Sequence, residues 1–389
     1  MDTAALKGSW ERVAKHGDDV PLFFYSHLFL SHPELRSMFP ISMASQRDKL
    51  VGALGRVVSH VDELPEVTPF IQQLGRDHRR FSVVPAHYNA VGSSLLATLK
   101  QFLGAEWTDE LASDWAEAYG VIARVMVEAA EDSEDTSPAW WDAEVLGAER
   151  RTMDVTVLQL RPEQPYSYLP GQSFAMEIAQ RPRLWRYYTP ANAPREDGTI
   201  ELHVQRIDGG QVSGPLIRSV NAGDTVKLGA PVGERLTLPE DEKRDLVMVA
   251  GGTGLAPLSA VIEQVDQRWQ DRGDGPKVHL FHGVTVPWNL YDRERMGRLA
   301  ETRPWFDYTE VVSGDPSYPG ARGLVGSVAA SEQWHGRAAM VCGGPKMVAH
   351  TVQELTKAGL DPEDVRFEEF NHVGAGDLAN DGTRTGEVE

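Results

Sequence analysis

The stretch LVMVAGGTGLAP, residues 246–257, decides the fold of the C-terminal part of the chain. Leu246–Ala250 is an unbroken apolar run of strand length, as in a strand buried on both faces. Gly251 to Pro257 then form a glycine-rich turn, and a helical pattern follows to Trp269. Further along, KVHLFHGV (277–284), FDYTEVV (306–312) and AAMVCGG (338–344) are strand candidates separated by helical stretches. Strands alternating with helices predict an α/β domain with a parallel sheet. Glycines in the turn let main chain approach a phosphate, and a helix N-terminus favours its negative charge. By itself the loop reads equally well as an ordinary turn.

Upstream the texture differs. MDVTVLQL (153–160), SFAMEI (173–178) and TIELHVQRI (199–207) are β-rich runs divided by Pro-Gly, Asp-Gly and Gly-Gly signals. Their spacing predicts a small antiparallel barrel. The segment EDSEDTSPAWWD, from Glu131, is acidic and carries Pro138, and reads as a linker. Before it the pattern is helical. Asp18 and Asp19 stand before Val20-Pro21 as a helix start. Leu50, Leu54, Val57, Val58 and Val61 recur at helical spacing, as do Phe70, Leu74 and His78, and Trp115, Tyr119, Ile122 and Met126. The expected order is a multidomain chain: an all-α region over 1–133, an antiparallel β-barrel over 139–240 and an α/β parallel-sheet domain over 243–374. A polar, glycine-rich tail over 375–389 is expected to be disordered.

Composition narrows the function classes. With 389 residues, two or three domains are expected. A net charge of −19 disfavours nucleic acid and anionic membrane surfaces as partners. No run approaches the roughly 20 apolar residues of a membrane span. The single cysteine, Cys342, excludes an intramolecular disulfide and fits a reducing compartment. MDTAALKGSW lacks the charged-then-apolar pattern of a signal peptide. A cytoplasmic protein, monomeric or weakly dimeric, is the expectation.

Three more segments accompany the glycine loop: RYYT (186–189), GQVS (210–213) and CGGPKM (342–347). In this order and spacing they resemble the ferredoxin–NADP reductase superfamily, in its form with an FAD-binding barrel and an NAD-binding domain. The resemblance implies that Arg186 binds FAD phosphate, with Tyr187 beside it. It implies that Tyr188 stacks on the isoalloxazine and that Thr189 hydrogen-bonds near the reactive flavin nitrogen. Ser213 and the amides of Gly210, Gln211 and Val212 would hold the pyrophosphate. Gly251, Gly252, Thr253, Gly254, Leu255, Ala256 and Pro257 would receive the nicotinamide dinucleotide, and Cys342 and Gly343 would lie near the nicotinamide. FEEF (367–370) resembles the segment that covers the flavin, with Phe370 as the shield and Glu368 close by. Ser173 stands where closer relatives carry an aromatic residue.

In the helical region, His78 continues the Phe70–Leu74 face, and Arg79 and Arg80 follow as partners for carboxylates of a porphyrin. HRRFSVVPAHYNAVGSSLLATL (78–99) resembles the proximal segment of flavohaemoglobins. The resemblance implies that His78 is the iron ligand and Tyr88 its proximal neighbour. Tyr25 would be the distal tyrosine, Gln46 and Leu50 distal groups one helical turn apart, and Phe39 a ring packed on the haem. One match fails. That family has a glutamate completing a His–Tyr–Glu relay, and the ungapped position here is Ala130. Glu131 is next, about 100° further round an ideal helix. Asp77 also replaces a basic residue.

The cofactors this implies are haem b, FAD and NAD(P)H. Val284, Thr285, Val286 and Pro287 offer no arginine for a 2′-phosphate, while Arg293 and Arg295 come later, so NADH is favoured. The function implied is oxidation of nitric oxide by O2 to nitrate. The rival readings are a haem-linked oxidoreductase with another substrate and an oxygen- or redox-sensing globin reductase.

Overall fold

The computed structural model describes residues 1–370, so the expected tail over 375–389 lies outside the described residues. The chain forms two compact units, one built on Met1–Trp140 and the other on Trp141–Arg181 with 185–370.

The first unit is helical: α1 (Thr3–Ala14), α2 (Asp19–Ser31), α3 (Ala44–Ser59), α4 (Leu64–His78), α5 (Pro85–Leu103) and α6 (Asp109–Asp132). Asp18 precedes α2 but makes no side-chain cap bond, because its own backbone is already helical. On α4, Val67, Phe70 and Ile71 are buried against Val57 of α3 and Met126 of α6, with Leu74 and Tyr88 packed on the same cluster. A larger cluster joins α1, α2, α5 and α6 through Trp10, Phe24, Leu28, Leu99 and Trp115. Its buried polar atoms are satisfied: Trp115 Nε1 donates to Ser9 Oγ at 3.0 Å, and that hydroxyl donates to the Leu6 carbonyl at 2.8 Å. Helices α4 and α6 cross tightly. A Cβ added at Gly75 of α4 would fall 2.7 Å from Met126 Cα on α6.

The second unit holds two sheets. The first has β1 (Trp141–Arg150), β2 (Val155–Pro162), β3 (Ser173–Ile178), β4 (Arg186–Tyr188), β5 (Ile200–Gln205), the short helix α7 (Ser213–Ser219) and β6 (Thr225–Val232). Its six strands run antiparallel in the order β4-β3-β6-β1-β2-β5. A bridge from Pro190 to Leu202 brings the two edges together, so the sheet is a nearly closed barrel.

The second sheet has β7 (Leu246–Gly251), α8 (Leu255–Arg272), β8 (Val278–Val284), α9 (Arg293–Thr302), β9 (Phe306–Val312), β10 (Ala321–Arg322), α10 (Val325–Ala329), β11 (Ala338–Gly343), α11 (Pro345–Lys357) and β12 (Val365–Glu369). All its pairings are parallel, in the order β10-β9-β8-β7-β11-β12. Chain order therefore reverses beside β7, and ligands of open parallel sheets bind outside the carboxyl ends at such a reversal. The glycine loop after β7 sits there. Among the described residues no helix is long and apolar enough to cross a membrane.

The Gly75 crossing has no room for a methyl group, so Gly75→Ala forces α4 and α6 apart. We expect a loss of about 2–3 kcal/mol in the stability of the helical unit, read by denaturant titration of its far-UV signal.

Candidate functional site

His78 is the last residue of α4. Its Nδ1 lies 2.6 Å from the Leu74 carbonyl, one turn back. A carbonyl only accepts, so Nδ1 carries the proton and Nε2 keeps its lone pair. Burial pulls the imidazole pKa below the ordinary value, against the Leu74 carbonyl and Asp77. A neutral ring oriented through Nδ1 is the form that binds a metal through Nε2. Nε2 makes no hydrogen bond among the described residues, which fits an axial haem ligand.

Tyr25 of α2 is buried, and its hydroxyl donates to the main-chain oxygen of Gln46 at 3.4 Å, a long bond. Burial raises the phenol pKa well above its ordinary value, so the proton stays on oxygen. Phe39 meets Tyr25 edge-on at 5.6 Å and Phe29 at 5.2 Å. Leu50, one turn after Gln46, packs on the same cluster. These residues combine an apolar lining with one retained hydroxyl donor.

Tyr88 begins α5 and is half-buried, and burial pushes its pKa up to about 12. Among the described residues no hydrogen bond joins its hydroxyl to His78 or to a carboxylate. Ala130 is half-buried on α6, while Glu131 is exposed. Arg79 departs from its expected role as a propionate partner. Its guanidinium donates to the Ser133 carbonyl and hydroxyl, both at 3.0 Å, and to the Ser137 carbonyl at 2.8 Å. It therefore caps the carboxyl end of α6, where a cation is favoured. Arg80 stands 3.4 Å from Asp77, the residue that replaces the expected basic one.

In the barrel, Arg186, Tyr187 and Tyr188 form β4 and pair with Met176, Ala175 and Phe174 of β3. Arg186 is half-buried, and one of its guanidinium nitrogens donates to the adjacent Trp185 carbonyl at 2.8 Å. Most of its five donors remain for a phosphate, which fits the FAD role. Burial raises the Tyr188 pKa well above the ordinary value, with Arg186 opposing. Thr189 is buried. Ser213 Oγ accepts from the Ile207 amide at 3.1 Å, so it braces the turn that carries Gly210, Gln211 and Val212.

Cys342 and Gly343 end β11, and Cys342 stands in register with Glu368 on β12. Burial pushes the Glu368 carboxyl up to about 7, with Arg235 opposing. Phe370 donates its amide to the Gly343 carbonyl at 2.7 Å. FEEF is thus pinned to the strand end that faces the reversal point.

A cleft of about 300 Å³ opens along the carboxyl edge of the parallel sheet. Gly251, Gly252 and Thr253 line it from β7, Gly283 to Thr285 from β8, and Gly344 and Met347 from beyond β11. Leu255, Ala256 and Pro257 do not reach it; they are buried in the first turn of α8. Gly254 is also off the wall, and a Cβ there would lie 2.9 Å from the Gly343 amide. The turn and Leu255–Pro257 thus seat the loop, while Gly251, Gly252 and Thr253 face the ligand. Asp154, Val155 and Gln205 line the cleft from the barrel, and Tyr291 from the loop before α9. Sequence reasoning missed these four, since nothing local to a barrel strand signals a nucleotide site. Asp154 is the charged group that lines this wall, and Arg206 stands beside it in an ion pair at 3.0 Å. Arg293 pairs with Glu310 at 3.0 Å, and Arg295 with Asp292 at 2.8 Å.

A globin domain model matches residues 22–126, an oxidoreductase FAD-binding domain residues 143–236 and an oxidoreductase NAD-binding domain residues 248–353. The chain is thus an oxidoreductase that carries a globin ahead of a flavin- and nicotinamide-binding reductase. The flavohemoprotein of Bordetella parapertussis is 28% identical over 321 residues, 77% of this chain and 78% of that one. The structure of a flavohemoglobin from Malassezia yamatoensis with bound FAD and heme superposes with a TM-score of 0.73 at 15% identity. It covers 95% of this chain and 98% of that one. The FAD/NAD-binding domain of a nitric oxide dioxygenase from Vibrio cholerae covers 59% of this chain and 98% of that one, at 19% identity and a TM-score of 0.51. By its domain set and order the chain belongs to the flavohaemoglobins, and its cofactors are haem, FAD and a nicotinamide dinucleotide.

His78→Ala removes the free Nε2 and should abolish stoichiometric haem binding while FAD content is retained. The visible spectrum of the purified protein reads both. Arg186→Ala removes a charge-assisted contact worth about 1.5–3 kcal/mol. It should lower FAD affinity roughly tenfold or more, measured by flavin release on dilution, with haem content unchanged.

Proposed function

We propose that the chain is a nitric oxide dioxygenase. Two nitric oxide and two O2 would be converted to two nitrate per NAD(P)H, with NAD(P)+ and one proton released. The observation that carries the reading is the proton-directed imidazole of His78, with Nε2 left for iron, on the same chain as a nicotinamide cleft. When bound, FAD supplies an acceptor for an electron pair that releases electrons singly, and haem supplies a one-electron redox centre.

The chain's own residues would do the following. Leu74 orients His78 through Nδ1, so that the ring meets the metal in one tautomer. Tyr25 keeps its proton and offers it as a hydrogen bond on the distal side, where Gln46 is the other polar group. Leu50 and Phe39 exclude water. Arg186 and the Ser213 turn hold FAD phosphates, and Tyr188 covers the flavin. Gly251, Gly252 and Thr253 offer main chain to the dinucleotide phosphates. The cleft lining carries Asp154, and the arginine beside it, Arg206, is already paired with that carboxylate, which favours NADH.

The rival, an oxidoreductase with another oxidisable substrate, draws on Ala130. A carboxylate on Tyr88 would polarise it towards His78 and enrich the iron in electrons, and alanine cannot. Glu131 is exposed, which supports reading it as no substitute at this register. Ala130→Glu should therefore lower the haem reduction potential and raise nitric oxide turnover, whereas Glu131→Ala should leave both unchanged. Spectroelectrochemistry and an NADH-driven nitric oxide electrode assay with nitrate quantitation check this. Flavin and haem reduction by NADH without nitric oxide consumption or nitrate would overturn the dioxygenase reading and favour the rival.

A further inference from the structure

The barrel and the parallel-sheet domain are joined by a buried chain of polar groups that none of the cofactor contacts uses. On β5, Glu201 and His203 share one face. His203 Nε2 lies 3.0 Å from Glu201 Oε1, and Nδ1 lies 2.9 Å from the Tyr291 hydroxyl. Tyr291 belongs to the other domain and also lines the nucleotide cleft. Its ring meets His282 of β8 edge-on at 5.8 Å. His282 Nε2 lies 3.1 Å from the carbonyl of Gly252, in the nucleotide loop itself. His203, Tyr291 and His282 are all nearly inaccessible, at 6%, 8% and 0% exposure.

The proton positions follow from the partners. Burial works against ionisation of Glu201, but the His203 hydrogen bond and Arg295 hold its carboxyl down at about 2. A carboxylate only accepts, so His203 Nε2 carries a proton. His203 Nδ1 hydrogen-bonds the Tyr291 hydroxyl, whose proton burial holds far above the ordinary phenol range. At the far end the Gly252 carbonyl only accepts, so His282 Nε2 donates. The bonds at the two ends of the chain thus have one direction, and Tyr291 is where the flavin barrel meets the anchor of the nucleotide loop.

We propose that Tyr291 is a positioning residue that sets the nucleotide loop over the flavin barrel, so that its hydroxyl governs the rate of hydride transfer more than the strength of nucleotide binding. The proposal rests on the reading that the barrel binds FAD and the cleft NADH. In the step concerned, hydride leaves the dihydronicotinamide with its electron pair, yielding NAD+ and the two-electron-reduced flavin. Such a transfer tolerates little misplacement, since a shift of about 1 Å costs up to about a hundredfold in rate. Phenylalanine would keep the ring that forms the cleft wall and stacks on His282, and would delete the bond to His203. Other ties would hold the domains together: Glu263 of α8 accepts from the Ala193 amide at 3.1 Å and from Arg195 at 2.9 Å.

The test is anaerobic stopped-flow reduction of flavin in the full-length holoprotein, with NADH varied. Tyr291→Phe should lower the limiting rate about tenfold and leave the apparent Kd for NADH within about twofold. His203→Asn should do the same. The double variant should be no slower than His203→Asn alone, because both single variants remove the same His203–Tyr291 bond. Unchanged limiting rates, additive losses, or a rise in Kd that accounts for the slowing would each overturn the proposal. Flavin in the unaltered protein that NADH does not reduce would overturn the cofactor reading beneath it. Normal reduction there, with variants that match it, would overturn only the role of Tyr291.

Discussion

Main chain presses on main chain where the nucleotide loop passes β11. Gly254 sits against the Cys342–Gly343 peptide, with no space for a side chain between them. Because the strands are parallel and β7 lies beside β11, the contact brings the start of α8 and the end of β11 to one edge. That edge carries the cleft, the thiol of Cys342 and, through the register of β12, the carboxyl of Glu368. The glycine loop after β7 and the FEEF segment of β12 thus lie at the same edge of one sheet. A side chain at Gly254 would move them apart together.

The helical unit follows a different logic, in which a hydrogen bond within one turn of helix selects the chemistry. The Leu74 carbonyl already serves α4, and its second lone pair takes the Nδ1 proton of His78. The tautomer is then a property of helix geometry and needs no separate carboxylate. This makes the histidine a competent ligand without the relay residue that Ala130 replaces. It leaves electron donation to the iron as the quantity most open to tuning.

Class and order of domains were legible because their signals are local. Apolar periodicity marks α4, an unbroken apolar run marks β7, and turn dipeptides divide the barrel strands. The candidate histidine was legible for the same reason: His78 continues a face already defined by Phe70 and Leu74. Three kinds of feature were hidden. Arg79 follows His78 in sequence, yet it turns to the end of α6, a choice made by long-range packing. Leu255, Ala256 and Pro257 share the loop motif with the glycines but face inward, because the short turn at Gly252–Gly254 rotates the helix start into the core. Asp154, Gln205 and Tyr291 reach the cleft only because two separate sheets pack together.

The chain has one sulfhydryl, and it lies at the bottom of that packing. Burial raises the Cys342 pKa well above an ordinary thiol, and the neighbouring Glu368 reinforces the effect. Nucleophilic sulfur is the thiolate, so this atom is both hidden and held in its unreactive form. The residue beside the proposed hydride path is therefore closed to alkylation, nitrosation and mixed-disulfide formation while the fold is intact. Oxidative damage would fall first on accessible thioethers such as Met153, which is 74% exposed. A reagent that titrates the thiol would in effect count unfolded molecules.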